Sequence, residues 1–258
     1  MNRQIQSAIA LVTGANRGIG RAFVEALEQA GAKKIYATAR NIESLQEIVA
    51  INPNRIIPLS LDVTNKAQIE AVAKQAVDVN LLINNAGVTT YDGIFSDRSV
   101  TNAQLEMEVN YFGTLNMIRA FAPILKQNGG GAIANLCSLA SYVNVPVSAT
   151  YSASKAALHS LTQGTRAELA KQGTLVIGIY PGPIDTRMAA ALTLDKAPVS
   201  QVAAALITGI EQGIEDIYPD AMSSNMLANV SQELKNMEQQ FAGMLPDSTT
   251  NDQDLVKN

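Results

Sequence analysis

Short apolar runs alternate along this chain with longer stretches of helical periodicity. The runs are apolar at successive positions, which is typical of strands that a parallel sheet buries on both faces. They lie at 8–13, 34–38, 55–61, 80–85, 131–138 and 175–180, with DIYPD at 216–220 as a candidate for a last short strand. Runs of this kind predict one sheet that is covered on both sides.

The stretches between these runs are each long enough for one helix. They span 18–30, 42–51, 65–77, 101–127, 150–172 and 198–213, and a further helix is predicted at about 224–243. Strand–helix alternation sustained over this length predicts βαβ units in an α/β fold, a doubly wound parallel sheet flanked by helices on both faces. We expect residues 1–245 to form a single domain and the polar residues 246–258 to form a flexible tail.

Composition narrows the possible partners. A length of 258 residues suits one α/β domain, and a formal charge of −4 gives no electrostatic reason to expect nucleic acid or an anionic membrane surface. The single cysteine, Cys137, leaves no intrachain disulfide to form and favours the cytoplasm. No apolar stretch reaches the roughly 18 residues that a membrane span needs. We therefore expect a cytoplasmic protein that acts on a small molecule, with neither nucleic acid nor a membrane as partner.

A glycine-rich turn, TGANRGIGRA at 13–22, follows the first predicted strand and opens a helix. Glycines at 14, 18 and 20 let the backbone turn sharply and approach a pyrophosphate, for which the helix N-terminus supplies N–H groups and a partial positive charge. The alternative is a plain strand-to-helix turn, which also uses glycine. Its position after the first strand favours a dinucleotide site.

Tyr151 and Lys155 stand four residues apart in a predicted helix and so share one face. A nearby ammonium favours the phenolate, so we expect Lys155 to lower the pKa of Tyr151 and make it a general acid or base. The alternative is a surface turn in which the tyrosine packs and the lysine is solvated.

His159 is the one histidine, which excludes a multi-histidine metal cluster, and it is interpreted as a packing residue. Cys137 is interpreted as a small buried hydrophobe.

Ser138 ends a predicted strand, thirteen residues before Tyr151. Ligands of open α/β sheets bind outside such strand ends, where a serine hydroxyl can donate to a carbonyl oxygen. Ser141 is a competitor for this role. Asn110 falls in the middle of a predicted helix, a poor position for asparagine by propensity. The alternative for Asn110 is the polar side of that helix.

Several motifs in one order resemble the short-chain dehydrogenase/reductase family over residues 8 to about 220. The motifs are Thr13-Gly14 with Gly18-Ile19-Gly20, Asn84-Asn85-Ala86-Gly87, Asn110, Ser138, Tyr151 with Lys155, and Pro181-Gly182. The resemblance implies a Rossmann-like fold and a carbonyl reductase that prefers NADP(H). It also implies that Ser138 rather than Ser141 is catalytic, together with Tyr151, Lys155 and Asn110.

The resemblance further implies a set of cofactor-binding residues, and no metal is expected. The set is Gly14, Asn16, Arg17, Gly18, Ile19, Gly20, Arg40, Asp62, Val63, Asn85, Ala86, Gly87, Tyr151, Lys155, Pro181, Gly182, Ile184 and Thr186. In it, Asp62 accepts from the adenine amino group and Ile184 contacts the nicotinamide carboxamide. From the residues alone, Asp62 could also cap the helix that follows from Thr64 onward.

The end of the second predicted strand, ATAR at 37–40, indicates which dinucleotide is bound. A carboxylate at this position holds a ribose 2′-hydroxyl, whereas an arginine accommodates a 2′-phosphate. Arg40 is present instead of a carboxylate, and Arg17 can reach the same group from the glycine turn. This pair predicts NADP(H), unless Arg40 merely starts a solvated loop.

These observations predict reversible hydride transfer between NADP(H) and a ketone or aldehyde. The alternatives are reduction of a 3-oxoacyl thioester on an acyl carrier protein and a non-catalytic NADP(H)-sensing protein. Only ten residues separate Thr186 from Ala197, which predicts a short lid and an open cleft that tolerates bulky ketones. The resemblance implies a homodimer or homotetramer assembled through the helices at 101–127 and 150–172.

Overall fold

A parallel sheet of seven strands forms the centre of the computed structural model, which describes residues 4–227. The strands are β1 Ile9–Val12, β2 Lys34–Ala39, β3 Ile56–Ser60, β4 Leu81–Asn84, β5 Ala132–Leu136, β6 Leu175–Ile179 and β7 Asp216–Ile217. Their order is β3-β2-β1-β4-β5-β6-β7, and every neighbouring pair runs parallel. The predicted doubly wound parallel sheet is confirmed, including the short last strand.

The helices follow the predicted stretches with three differences. They are α1 Gly18–Gln29, α2 Gln46–Val49, α3 Lys66–Gln75, α4 Ser99–Glu106, α5 Thr114–Gln127, α6 Ala149–Leu169, α7 Val199–Gln212 and α8 Ala221–Leu227. A 3-10 turn, Ile42–Leu45, precedes the short α2. A π-helical segment, Met107–Gly113, interrupts the helix predicted at 101–127. The helix predicted at 224–243 overlaps α8, and its remainder lies outside the described residues.

Two apolar clusters explain why the strands are apolar at successive positions. Ala10 and Val12 of β1 belong to the cluster under α1 and α7, whereas Leu11 between them belongs to the cluster under α3 and α5. Successive side chains of a strand point to opposite faces of the sheet. Since helices cover both faces, the side chains on both are fully buried, as in Leu82 and Ile83 of β4.

The strand order reverses at β1, which pairs with β2 on one side and β4 on the other. The crossovers from these strands therefore depart in opposite directions and leave a crevice at the carboxyl ends, where ligands of open α/β sheets bind. The glycine turn follows β1 and the NNAG loop follows β4, so both predicted motifs reach this crevice.

The turn between α5 and β5 contains three consecutive glycines that offer a matched test of packing. Gly129 and Gly131 both have positive φ, at +92° and +62°. A Cβ on Gly131 would overlap the carbonyl of Asn80, which accepts a hydrogen bond from Ala132 N at 2.9 Å. A Cβ on Gly129 would meet no atom within 4 Å.

We expect Gly131→Ala to lower the free energy of unfolding by about 3 kcal/mol, because it adds a clash to the backbone strain. Gly129→Ala, the control, should cost about 1 kcal/mol from strain alone. Urea unfolding of both variants, with the m-value compared to that of the wild type, measures the difference. Equal losses of unfolding free energy in the two variants would show that the close approach to Asn80 does not affect stability.

Candidate active site

The glycine turn brings the start of α1 against the end of β1. Gly14 and Gly18 have left-handed φ values of +65° and +54°, and the N–H of Ala15 donates to the carbonyl of Thr38 in β2 at 2.8 Å. Gly20 is buried, and a Cβ there would overlap Gly14 O and the side-chain amide of Asn85. The N-terminus of α1, with the unpaired N–H groups common to helix starts, is thereby held at the crevice.

Thr13 and Asn85 tie this turn to the loop after β4. The hydroxyl of Thr13 accepts from the backbone N–H groups of Asn85 at 2.9 Å and Ala86 at 3.0 Å. The Asn85 amide donates to Thr13 O at 2.8 Å and to Gly14 O at 3.1 Å. The side chain of Asn85 thus holds the turn, a role that the sequence did not indicate. Thr13 belongs to the motif that carries the family resemblance, but its role in holding the loop after β4 was not predicted either.

Arg17 and Arg40 both lie exposed at the ends of elements that meet at this turn. Arg17 directly precedes α1, and Arg40 directly follows β2. Neither forms an ion pair with any residue between 4 and 227, whereas the nearby Arg21 pairs with Glu25 and Glu47, each at 2.8 Å. Two uncompensated guanidinium groups therefore flank the crevice, which suits an anionic ligand.

Asp62 follows β3 and does not cap the next helix, so that alternative is wrong. Its carboxylate accepts from the N–H and hydroxyl of Thr64, at 3.0 and 2.7 Å, and forms a local turn. Asn65 caps α3 by accepting from Gln68 N at 3.2 Å, and the helix begins at Lys66. The neighbouring Val63 is buried against the π-helical segment.

Tyr151 and Lys155 share one face of α6, as predicted. Lys155 is only 4% exposed, donates to Leu136 O at 2.7 Å, and holds its Nζ 5.7 Å from the centre of the Tyr151 ring. Burial lowers the pKa of Lys155 to about 8. Burial raises the pKa of Tyr151, against the opposing effect of a hydrogen bond with Ser138.

The expected lowering of the Tyr151 pKa is therefore not found. Desolvation disfavours a phenolate, and this effect exceeds any stabilisation by a neighbouring ammonium. The Lys155 ammonium is directed to a strand-end carbonyl rather than to the phenol oxygen. Tyr151 consequently carries its proton at neutral pH in this structure.

Ser138 and Ser141 have different roles in the turn after β5. Ser138 Oγ accepts from Ala140 N at 3.1 Å and lies close enough to the phenol of Tyr151 to oppose the rise in the pKa of that residue. Ser141 Oγ accepts from Ser138 N at 3.2 Å and so holds the turn. The geometry therefore assigns Ser138, rather than its competitor, to the neighbourhood of the phenol.

Asn110 lies in the π-helical segment and is fully buried, so its placement on the polar side of a helix is wrong. Its Oδ1 accepts from Val88 N at 2.8 Å, and its Nδ2 donates to Val88 O and to Ser154 Oγ, both at 2.9 Å. Single π-helical turns occur often at functional sites. This one fixes the loop after β4 against α6.

Two further loops complete the predicted site. A Cβ on Gly87 would lie 3.1 Å from Asn110 Oδ1 and 3.6 Å from Lys155 Nζ, so the NNAG loop passes beside the lysine. After β6, Pro181 O accepts from Leu139 N at 2.9 Å. The same loop carries three further predicted residues. Ile184 is buried and pairs with Ala197 in an isolated parallel β-bridge, and the N–H of Gly182 donates to Asp220. The Cγ2 of Thr186 would lie 3.4 Å from a Cβ on Gly18.

Glu106 and Tyr91 lie at the same crevice, and sequence reasoning missed both. Glu106 has no exposed surface, and its Oε1 accepts from the N–H and hydroxyl of Thr90 at 2.7 and 2.8 Å. Its other oxygen has no hydrogen-bond partner among residues 4–227. Tyr91 has a φ of +52°. A glutamate in a polar helical stretch gives no sequence signal of burial.

Cys137 and His159 pack as predicted. Burial raises the pKa of the Cys137 thiol to about 11, which leaves it unreactive at neutral pH. His159 Nδ1 lies 2.8 Å from the hydroxyl of Tyr180, and its ring packs against Tyr142 and Tyr180. Through residues 4–227 there is no helix with both the length and the apolar character that crossing a membrane requires.

A family model described as short chain dehydrogenase matches residues 8–197. The chain belongs to the short-chain dehydrogenase family. Two curated relatives are both uncharacterized oxidoreductases of staphylococci. The one from Staphylococcus epidermidis is 35% identical over 72% of this chain and 81% of its own length. The one from Staphylococcus aureus is 36% identical over 71% of this chain and 80% of its own length.

Solved short-chain dehydrogenases have the same fold. One from Burkholderia cenocepacia, crystallised in complex with NADP, is 40% identical, with a TM-score of 0.84 over 94% of this chain and all of the other. One from Streptomyces avermitilis is 28% identical, with a TM-score of 0.76 over 93% of this chain and all of the other. The family resemblance seen in the sequence is thereby confirmed, and the chain is an oxidoreductase of the short-chain dehydrogenase type.

The buried Lys155 of this short-chain dehydrogenase predicts a specific pH dependence of stability. Between pH 8 and 10.5 the unfolded chain binds more protons at this residue than the folded chain, so rising pH stabilises the fold. The gap in unfolding free energy between the wild type and Lys155→Met should shift by about 2 kcal/mol in favour of the wild type between pH 7 and 10. Urea unfolding of the protein without added nucleotide measures this gap, and a gap independent of pH would contradict the burial effect.

Proposed function

We propose that this short-chain dehydrogenase transfers hydride between NADP(H) and a ketone or aldehyde, acting as a carbonyl reductase that is reversible with secondary alcohols. The observation that carries the proposal is the meeting of Tyr151, Ser138 and Lys155 at one crevice beside the glycine turn. A protein that only senses a nucleotide would have no use for a protonated phenol beside a serine hydroxyl.

The crevice fits a dinucleotide. The backbone at Gly14, Gly18 and Gly20 carries no side chains, and a Cβ on Gly20 would overlap Gly14 O and the Asn85 amide, so the compact turn depends on this glycine. Pyrophosphate would lie against this backbone and the N-terminus of α1. The predicted residues Asn16 and Ile19 belong to the same turn, while Ala86 and Gly87 line the path towards Lys155.

NADP(H) is favoured over NAD(H) by charge. Arg17 and Arg40 are exposed beside the turn and free of ion pairs with residues 4–227. No carboxylate stands at the end of β2 to hold a ribose 2′-hydroxyl. The related Burkholderia enzyme was crystallised with NADP. Each charge-assisted bond to a 2′-phosphate contributes about 1.5–3 kcal/mol, which is enough to discriminate between the two dinucleotides.

In the direction of reduction, Tyr151 acts as general acid. Its raised pKa keeps the proton on the phenol at neutral pH, so the hydroxyl can donate to the carbonyl oxygen. Bound reduced nicotinamide would supply the hydride to the carbonyl carbon. Ser138, whose hydroxyl lies beside the phenol, orients that oxygen and stabilises its developing negative charge.

Lys155 and Asn110 have supporting roles in this chemistry. Lys155 makes one described hydrogen bond, to Leu136 O, and an ammonium has three donors. The remaining N–H groups are available for ribose hydroxyls, and its charge stabilises the phenolate that proton donation leaves. Asn110 positions the loop through Val88 and the α6 face through Ser154, which keeps Gly87 beside the lysine.

Tyr151→Phe should lower kcat for carbonyl reduction at least about 100-fold, since it removes the general acid while keeping the ring. NADPH absorbance with a panel of ketones and aldehydes measures turnover, and fluorescence titration should show unchanged NADPH affinity. Tyr36→Phe, which removes a tyrosine hydroxyl bonded to Asp78 far from the crevice, is the control. Tight NADPH binding by a wild type that reduces no carbonyl would instead support a nucleotide sensor.

Arg40→Ala should weaken NADPH binding at least about tenfold and leave NADH binding unchanged, because only NADPH carries the 2′-phosphate. Arg55→Ala, which removes an exposed arginine that precedes β3, should change neither affinity. The Kd of each dinucleotide for each variant decides the matter. An equal loss for NADH would show that Arg40 does not read the phosphate.

A further inference from the structure

Tyr91 adopts a backbone conformation that L-residues other than glycine rarely use. Its φ of +52° is the one positive value at a non-glycine residue within 4–227. Such conformations are costly for bulky residues and persist where surrounding contacts enforce them. In this loop the enforcing contact is immediately adjacent, because Thr90 is held by the carboxylate of Glu106 through both its N–H and its hydroxyl.

The phenol of Tyr91 crosses the crevice. Its hydroxyl donates to the carbonyl of Met188, 97 positions further along the chain, on the loop after β6. Met188 lies in the 3-10 turn Arg187–Ala189, which Thr186 caps. Since Thr186 also faces Gly18, the Tyr91 hydrogen bond connects the loop after β4 to the segment that lies over the glycine turn.

Tyr91 follows the NNAG loop, which passes beside the proposed proton donor. A Cβ on Gly87 of this loop would lie 3.6 Å from Lys155 Nζ, which itself lies 5.7 Å from the centre of the Tyr151 ring. Both Tyr91 and Met188 are partly exposed, at 38% and 43%, so their contact lies at the mouth of the crevice and not in the core. A carbonyl compound entering from solvent towards Tyr151 therefore passes this pair.

We infer that Tyr91 determines substrate size by spanning the mouth of the crevice to Met188, and that Glu106 is the positioning residue that holds it there. This inference rests on the proposed carbonyl reduction. The short segment 187–196 predicted an open cleft for bulky ketones, but the Tyr91 ring narrows the cleft from the opposite loop. We consequently expect the wild type to favour ketones with two small substituents over ketones with one bulky substituent.

Two methyl ketones that differ only in bulk test the inference, 2-butanone and 2-acetonaphthone. Tyr91→Ala should raise the ratio of kcat/KM for 2-acetonaphthone over 2-butanone at least about tenfold, mainly through KM. Tyr91→Phe, which keeps the ring and loses the bond to Met188, should shift this ratio a few-fold in the same direction. Tyr36→Phe should leave the ratio unchanged, and NADPH affinity should stay within about twofold in all three variants.

Glu106 is tested by a matched pair. Glu106→Gln keeps an oxygen that can accept from Thr90 and should retain the wild-type ratio, whereas Glu106→Ala should shift it towards that of Tyr91→Ala. If Glu106→Ala fails to fold, Thr90→Val replaces it in the test. This variant removes the hydroxyl that donates to Glu106 but leaves the glutamate side chain in its buried position. A change in kcat for both ketones alike, with the ratio constant, would show a merely structural role.

The outcomes separate this inference from the proposed function. A wild type that reduces neither these ketones nor any other carbonyl overturns the function, and the inference with it. A wild type that reduces ketones, with an unchanged ratio in Tyr91→Ala, overturns the inference alone. Hydrogen–deuterium exchange over 187–192 gives an independent readout, because Tyr91→Phe should increase exchange there if the phenol holds the Met188 segment, and no increase would overturn the contact.

Discussion

The backbone of the glycine turn approaches the end of β4 so closely that no side chain fits between them. Gly14 O and the Asn85 amide together fill the space that a Cβ on Gly20 would need. The same amide donates to Gly14 O and Thr13 O, so the close approach is also a hydrogen-bonded one. Because β1 and β4 are neighbours at the point where strand order reverses, this contact sets the position of α1, the NNAG loop and the crevice between them.

The residues least favourable to stability gather at this crevice. Lys155 is buried with its ammonium on a single backbone carbonyl, Glu106 is buried with one oxygen unpaired within residues 4–227, and Tyr91 is held at positive φ. A buried charge or an unfavourable backbone angle costs free energy wherever it occurs. Burial of the two apolar clusters on either side of the sheet offsets the free energy that these buried and strained groups cost. Strain and buried charge concentrated in one place are an argument for function in their own right.

Most of the fold could be predicted from the sequence, since strands buried on both faces are apolar at most successive positions and differ clearly from the helices between them. The interruption of the 101–127 helix could not, because a π-helical turn has no periodicity of its own over seven residues. Its one sequence signal was Asn110, a poor helix former at that position. At α3 the sequence suggested Asp62 as a possible cap, and only the observed start of the helix assigns that role to Asn65.

The direction of the Tyr151 pKa shift could not be predicted from residue spacing alone. Four residues between a phenol and an ammonium place them on one face, but the shift depends on how completely each is removed from water and on where the ammonium donates. Here burial acts on both groups and disfavours both charges, so the proton stays on the tyrosine while Lys155, with a pKa of about 8, still carries its charge at neutral pH. That pairing suits donation to a carbonyl oxygen, because the phenolate forms beside a cation that is already present. In the proposed oxidation of an alcohol, the proton that burial holds on the phenol would first have to be removed.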